Sequence, residues 1–218
     1  MRGLTASGTH RRAVGSRVIA LLLGSTLVGA RAQAPPVAEQ FKPYLQVKPV
    51  PGDETKVRAF FSPACSFSKM YFQFFKNLAA TIPASKTFEF TPLVNKGDGI
   101  GYAMSFMAVQ RYHPAYLNNF VEASLIGVQD RGLATRSWSA IERIGRAAHV
   151  PVSVPKLVAA HEWELRALVL EAIVRQTALA IANTPAVTVS GTYVVTPEFT
   201  SGDAALFSQL VNGIISMP

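Results

Sequence analysis

From Gly97 to about Asn183 the apolar residues recur at three- and four-residue spacing, and every strand-like run of the sequence lies before or after that block. A sheet in such a chain has to be assembled from its two ends, with the helical residues inserted between them. Before the block, a short strand is expected around Tyr44–Lys48, a second at Lys56–Phe61 stopped by Ser62-Pro63, and a third at Thr87–Val94, with Pro92 near its end. Phe67, Met70, Tyr71, Phe74 and Leu78 predict a helix after Cys65, ended by Pro83. Inside the block, helices are expected over about Tyr102–Tyr112, Ala115–Gly127, Ser137–His149 and Pro155–Ala182, the last either continuous or bent. After it, Ala186–Val189 and Thr192–Val195 flank Ser190-Gly191, a hairpin signal, and residues 203–216 read as a closing helix. Mixed elements in this order predict a central sheet with helices on its faces, an α/β fold.

A chain of 218 residues suits one domain, or one domain carrying an insertion. With 49% hydrophobic and 16% charged residues it is neither disordered nor collagen-like, and a single cysteine excludes a disulfide-stapled scaffold. The formal charge of +8 is concentrated at one end. Arg2, Arg11, Arg12, Arg17 and Arg31 fall in residues 1–34, which hold no acid, so the remaining chain carries a net charge of only +3. Basic residues up to Arg17, an apolar stretch from Val18 to Val28, and small residues at Ala30, Ala32 and Ala34 read as a secretory signal peptide. That stretch is too short for a spanning helix, which needs roughly 20 apolar residues; an uncleaved anchor is the alternative. The positive charge is therefore mostly an address, and nucleic acid drops from the expected partners. No later run of the sequence is long and apolar enough to span, so the mature chain is expected to be soluble, free of the membrane, and exported to a bacterial periplasm, where thiols tend to be oxidised.

The lone cysteine lies at the strand-to-helix junction, in Phe60-Phe61-Ser62-Pro63-Ala64-Cys65-Ser66-Phe67-Ser68. A cysteine so placed sits beside unpaired backbone N–H groups and the positive end of a helix dipole, both of which favour thiolate over thiol. The bland alternative is a small buried hydrophobe, the usual state of a free cysteine. Other chemistry is thin. His113, His149 and His161 have no second ligand at helical spacing, so no metal site is expected. Lys96-Gly97-Asp98-Gly99-Ile100-Gly101 lacks a phosphate-loop pattern and reads as a flexible crossing into the helical block. Trp138, Trp163 and the Phe72-Gln73-Phe74-Phe75 cluster read as packing.

Three stretches make the chain resemble the DsbA-like thiol–disulfide oxidoreductases: Phe60-Phe61-Ser62-x-x-Cys65, Val94-Asn95 before the helical block, and Thr184-Pro185 running into the hairpin through Tyr193. The resemblance implies a thioredoxin-like fold with an inserted helical subdomain. Its layout would be a signal peptide at 1–34, an N-terminal arm at 35–55, thioredoxin-like halves at 45–96 and 169–218, and a helical insertion at 97–168. It also implies that Cys65 is the nucleophile and that the Thr184–Pro185 bond is cis. Substrate would dock on Thr184 and Pro185 beside Ser66 and Phe67, which lie within the active motif.

The departures from the family narrow the chemistry. Its Cys-x-x-Cys is here Cys65-Ser66-Phe67-Ser68, so Ser68 stands at the resolving cysteine and Phe67 at the histidine of the strong oxidants. The strand acid of many members is replaced by Ala59. A hydroxyl cannot form a disulfide, which rules out an internal dithiol cycle. What remains is monothiol exchange, reductase- or isomerase-like, in which Ser68 Oγ supports the Cys65 thiolate and an external thiol resolves the mixed disulfide. The expected partners are protein or peptide thiols and disulfides. No cofactor is expected, although glutathione could act as the external thiol. A redox-inactive peptide-binding or assembly module of the cell envelope is the alternative, and a homodimer linked through Cys65 is a further one.

Overall fold

The computed structural model describes residues 42–217. The leader at 1–34 and the first residues of the arm lie outside them. A five-stranded sheet has the order β1-β5-β4-β2-β3. Strand β1 (Leu45–Gln46) lies antiparallel to β5 (Tyr193–Val195), which pairs antiparallel with β4 (Ala186–Val189); β4 is antiparallel to β2 (Lys56–Phe61), and β2 runs parallel to β3 (Thr87–Pro92). Both ends of the chain thus build one sheet, as the position of the helical block requires.

Strand β2 is covered on both faces, which explains why nearly every one of its residues is buried. Val57, Ala59 and Phe61 enter the main core, while Phe60 packs on the opposite face with Leu179, Ile181 and Ala186. Pro92 is tolerated because β3 is an edge strand and the proline stands at its end. The main core is continuous into the helical block: the Phe61 ring lies 5.9 Å from Phe90, 5.7 Å from Phe106 and 6.4 Å from Tyr102.

The helix expected after Cys65 forms as two pieces, α1 (Ser66–Met70) and α2 (Phe72–Thr81). Between them Tyr71 is buried, donates its hydroxyl to the Gly202 carbonyl at 3.2 Å and sets its ring 5.1 Å from Phe207. Helix α2 stops because Ile82, the residue before Pro83, is pushed into the extended region. The block itself contains α3 (Gly99–Tyr112), α4 (Leu117–Arg131), α5 (Trp138–Ala147), α6 (Val154–Ala160) and α7 (Glu162–Ala178). The long segment from Pro155 is therefore two helices, separated at His161. Helix α3 also begins ahead of Tyr102, inside the glycine-containing crossing. Trp163 is not a packing residue: it is 88% exposed on α7, and Trp138 is about half exposed. Helix α8 (Ala204–Ile215) closes the fold, with Asp203 as N-cap accepting from Ala205 N at 2.8 Å and Leu206 N at 3.0 Å.

In the β4–β5 turn Ser190 and Gly191 both have positive φ, 54° and 62°, the requirement of a type I′ hairpin. Gly191 also packs against the arm: a Cβ there would lie 2.8 Å from Asp53 Cβ and 3.0 Å from the Val50 carbonyl oxygen. Gly191→Ala is expected to lower stability by about 1–2 kcal/mol from the left-handed backbone alone, with a further loss from the clash, read as a shift of the urea midpoint at unchanged slope. A midpoint equal to that of the unmodified protein would contradict this packing.

Candidate active site around Cys65

The site is made by register. Phe60 of β2 pairs with Ala186 of β4 in antiparallel sense, so the end of β2 and the start of β4 emerge at the same edge of the sheet. Cys65 follows the first and Thr184–Pro185 precedes the second, although they lie 119 residues apart in sequence. Cys65 is the N-cap of α1, in an extended conformation, and is partly exposed. Its thiol donates to the Thr184 carbonyl oxygen at 3.0 Å, and the Thr184–Pro185 peptide bond is cis.

The residues singled out in the sequence divide into two groups. Ser66 and Phe67 are exposed beside the thiol, and Phe67 and Met70 form an apolar face of α1 at 51% and 67% exposure. Met70, expected as part of the apolar period of the helix, is exposed instead, and its i+3 spacing from Phe67 puts it on the same side. Ser68, in contrast, is buried and accepts a hydrogen bond from the Ser62 backbone N–H at 3.2 Å. Among the hydrogen bonds of the described residues, Cys65 joins Thr184 and Ser68 joins Ser62; none joins Cys65 to Ser68. Ala59 lies fully buried in the main core.

Three further residues build the loop: Ser62, legible in the sequence only as part of the Phe60-Phe61-Ser62-x-x-Cys65 stretch, and Asp98 and Gln129, to which the sequence gives no site role. Ser62 uses both its hydroxyl and its backbone here: Oγ donates to Asp98 Oδ2 at 2.5 Å and accepts from Ala64 N–H at 3.2 Å, while its carbonyl accepts from Cys65 N–H at 3.0 Å. Asp98, within the crossing expected to be a flexible link, is buried, and Asn95 Nδ2 donates to its Oδ2 at 2.9 Å. Gln129 on α4 donates from Nε2 to the Pro63 carbonyl at 2.9 Å and to the Cys65 carbonyl at 3.0 Å. The only local signal for Asp98 or Gln129 is Asn95-x-x-Asp98 ahead of a helix: Asn95 Oδ1 accepts from Asp98 N–H at 2.7 Å, an Asx-type turn. Nearby, burial holds the Tyr71 phenol above its ordinary range, with the charge of Asp203 adding to the effect.

The histidines are scattered. His161 stacks on Tyr112 with ring centroids 4.1 Å apart, and His113 stands edge-on to Tyr116. Among the described residues no group of three or more His, Cys, Asp or Glu is placed to hold a metal ion, and no helix is long and apolar enough to cross a membrane.

No family model and no curated protein matches this sequence. Solved structures do. The chain is similar to the oxidoreductase DsbA from Xylella fastidiosa at 16% identity and a TM-score of 0.65, covering 79% of this chain and 93% of that one. It is similar to the disulfide oxidoreductase DsbA from Proteus mirabilis at 19% identity and a TM-score of 0.61, covering 80% and 95%, and to Pseudomonas aeruginosa DsbA at 16% and 0.62, covering 79% and 94%. The fold is the α/β, DsbA-like thioredoxin fold with its helical insertion.

Proposed function

We propose that this chain, with its DsbA-like thioredoxin fold, is a monothiol thiol–disulfide exchange protein in which Cys65 is the nucleophile. The observation that carries the reading is the contact between a partly exposed thiol at the start of a helix and the carbonyl of the half-buried Thr184, which a cis bond joins to Pro185. In the first step the Cys65 thiolate attacks a disulfide R–S–S–R′. The Cys65–S–S–R bond forms, the substrate S–S bond breaks, and R′–S⁻ leaves and takes a proton from solvent. In the second step an external thiolate R″–S⁻, such as that of glutathione, attacks the R sulfur of the mixed disulfide: the R–S–S–R″ bond forms, the bond from Cys65 to R breaks, and Cys65 leaves as thiolate. Each step exchanges one S–S bond for another, so no separate oxidant or reductant is needed. An extended substrate would pair with the backbone at Thr184 and Pro185, and the exposed Ser66 and Phe67 follow the thiol directly in the chain. Ser68 acts on the loop rather than as a resolving group.

The reading includes export. The leader-like sequence at 1–34 supports a periplasmic protein cleaved after Ala32 or Ala34, and N-terminal sequencing of the protein recovered from the envelope tests this. A second reading, a redox-inactive peptide-binding or assembly module, is favoured by one observation, the serine at position 68. Cys65→Ala separates the two. Under the exchange reading it abolishes both the glutathione adduct and thiol-dependent reduction of a disulfide substrate. If the variant keeps full function in cells, the exchange reading falls and the binding module replaces it.

A further inference from the structure

Asp98 occupies the N-cap position of α3, where an aspartate ordinarily accepts hydrogen bonds from the first free N–H groups of the helix. It makes no such bond. Its side chain is turned into the protein, at 2% exposure, and one oxygen, Oδ2, receives both the Ser62 hydroxyl and the Asn95 amide. The other oxygen, Oδ1, is buried and meets no protein donor. A half-satisfied buried carboxylate is expensive, and forgoing the cap adds to the cost. The arrangement gains one thing locally: it fixes the Ser62 hydroxyl, which in turn holds Ala64 N–H, while the Ser62 carbonyl holds Cys65 N–H and the Ser62 N–H holds Ser68 Oγ. The loop carrying the only cysteine is thereby tied to a segment 36 residues further on, and Gln129 ties the same loop to α4 through two carbonyls.

We infer that Asp98 is a positioning residue for Cys65: acting through Ser62, it holds the 62–65 loop in the geometry in which the thiol meets the Thr184 edge. This inference rests on the exchange reading for its consequence, but not for its geometry. It has a specific signature. Only Oδ2 receives donors, so an acceptor is required there and the negative charge is not. Asp98→Asn preserves that acceptor and the shape, whereas Asp98→Leu keeps the approximate size and removes it.

The test is the rate at which folded protein forms an adduct with glutathione disulfide, followed by mass, together with the Cβ signal of protein labelled with [¹³C]cysteine. One cysteine gives one signal. Ser62→Ala and Asp98→Leu are expected to slow adduct formation roughly tenfold to a hundredfold, the usual consequence of a misplaced reacting atom. The double variant should be no slower than either single one, and Asp98→Asn should restore most of the rate. The cysteine signal should shift or broaden in Ser62→Ala while far-ultraviolet dichroism is unchanged. Should Asp98→Leu fail to fold, Ser62→Ala and Asp98→Asn still decide the matter. A Ser62→Ala protein with the unmodified rate and an unshifted signal overturns the inference. If the unmodified protein forms no adduct at all, the exchange reading fails, and the cysteine signal alone then supports or overturns the positioning role.

Discussion

Ser68→Cys is expected to convert a protein that holds one glutathione per chain into one that holds none. With a single thiol, the adduct on Cys65 persists until an outside thiol attacks it. A thiol at position 68 lies three residues on, on the first turn of α1, where the present Oγ accepts the Ser62 N–H. Tethered at that distance it acts at an effective concentration of about millimolar or above. Against a micromolar external thiol, the lifetime of the mixed disulfide should fall roughly a thousandfold. Mass analysis after exposure to glutathione disulfide should then show a chain with an internal disulfide and no adduct. The Ser62 N–H is in place to receive the new sulfur, so the loop need not rebuild. A variant that keeps its glutathione as long as the parent does would mean that Cys65 and position 68 diverge too far to bond.

The second large effect is on stability and lies away from the thiol. Asp53 is 1% exposed and held by a two-point contact with Arg58, Nε to Oδ2 and NH2 to Oδ1, both at 2.9 Å. Arg58 also pairs with Glu89, which pairs in turn with Lys56. Burial of the Arg58 guanidinium works to lower its proton affinity, but the hydrogen bonds and charges of Asp53 and Glu89 outweigh it and hold the group above its ordinary value. Arg58→Met leaves Asp53 buried with only Arg175, at 3.4 Å, for company. A buried charge stripped of its partner costs about 3–5 kcal/mol, and the loss should appear as a lower urea midpoint. Removing both charges, in Arg58→Met with Asp53→Asn, should cost less than the single change. A single variant that loses under about 1 kcal/mol would contradict the view that this pair is desolvated.

How much of this was readable beforehand depends on whether a feature is local. The strands β2 and β4, the Ser-Gly hairpin and the end of α2 before Pro83 announce themselves through alternation, turn residues and a proline. The insertion was legible because a helical period replaces a strand period for the whole of the block. The interruption at Tyr71 was not, because the periodicity of Phe67, Met70, Phe74 and Leu78 runs through it; what marks Tyr71 is a contact with Phe207 and Gly202, remote in the chain. The roles of Ser62, Asp98 and Gln129 stayed hidden for the same reason: their hydrogen bonds cross 36 and 64 residues, and no local pattern encodes such a bond. Glycines beside Asp98 made a structured turn look like a loose link. Ser68 was visible as the occupant of a motif position, but its engagement with Ser62 rather than with the thiol depends on the tertiary course of the loop.

The distance along the chain between Cys65 and Thr184 bears on the order of assembly. Synthesis delivers the thiol 119 residues ahead of the backbone edge it meets, and the entropic price of closing so long a loop is met only once β4 docks beside β2. Until then the nascent chain carries a sulfhydryl without its final neighbour. A sequence with a second cysteine would risk a premature internal crosslink during that interval. This one has none to offer, so covalent errors in its maturation are restricted to partners outside the molecule, and the rate at which a quencher of free thiols modifies Cys65 during refolding should change when β4 docks beside β2.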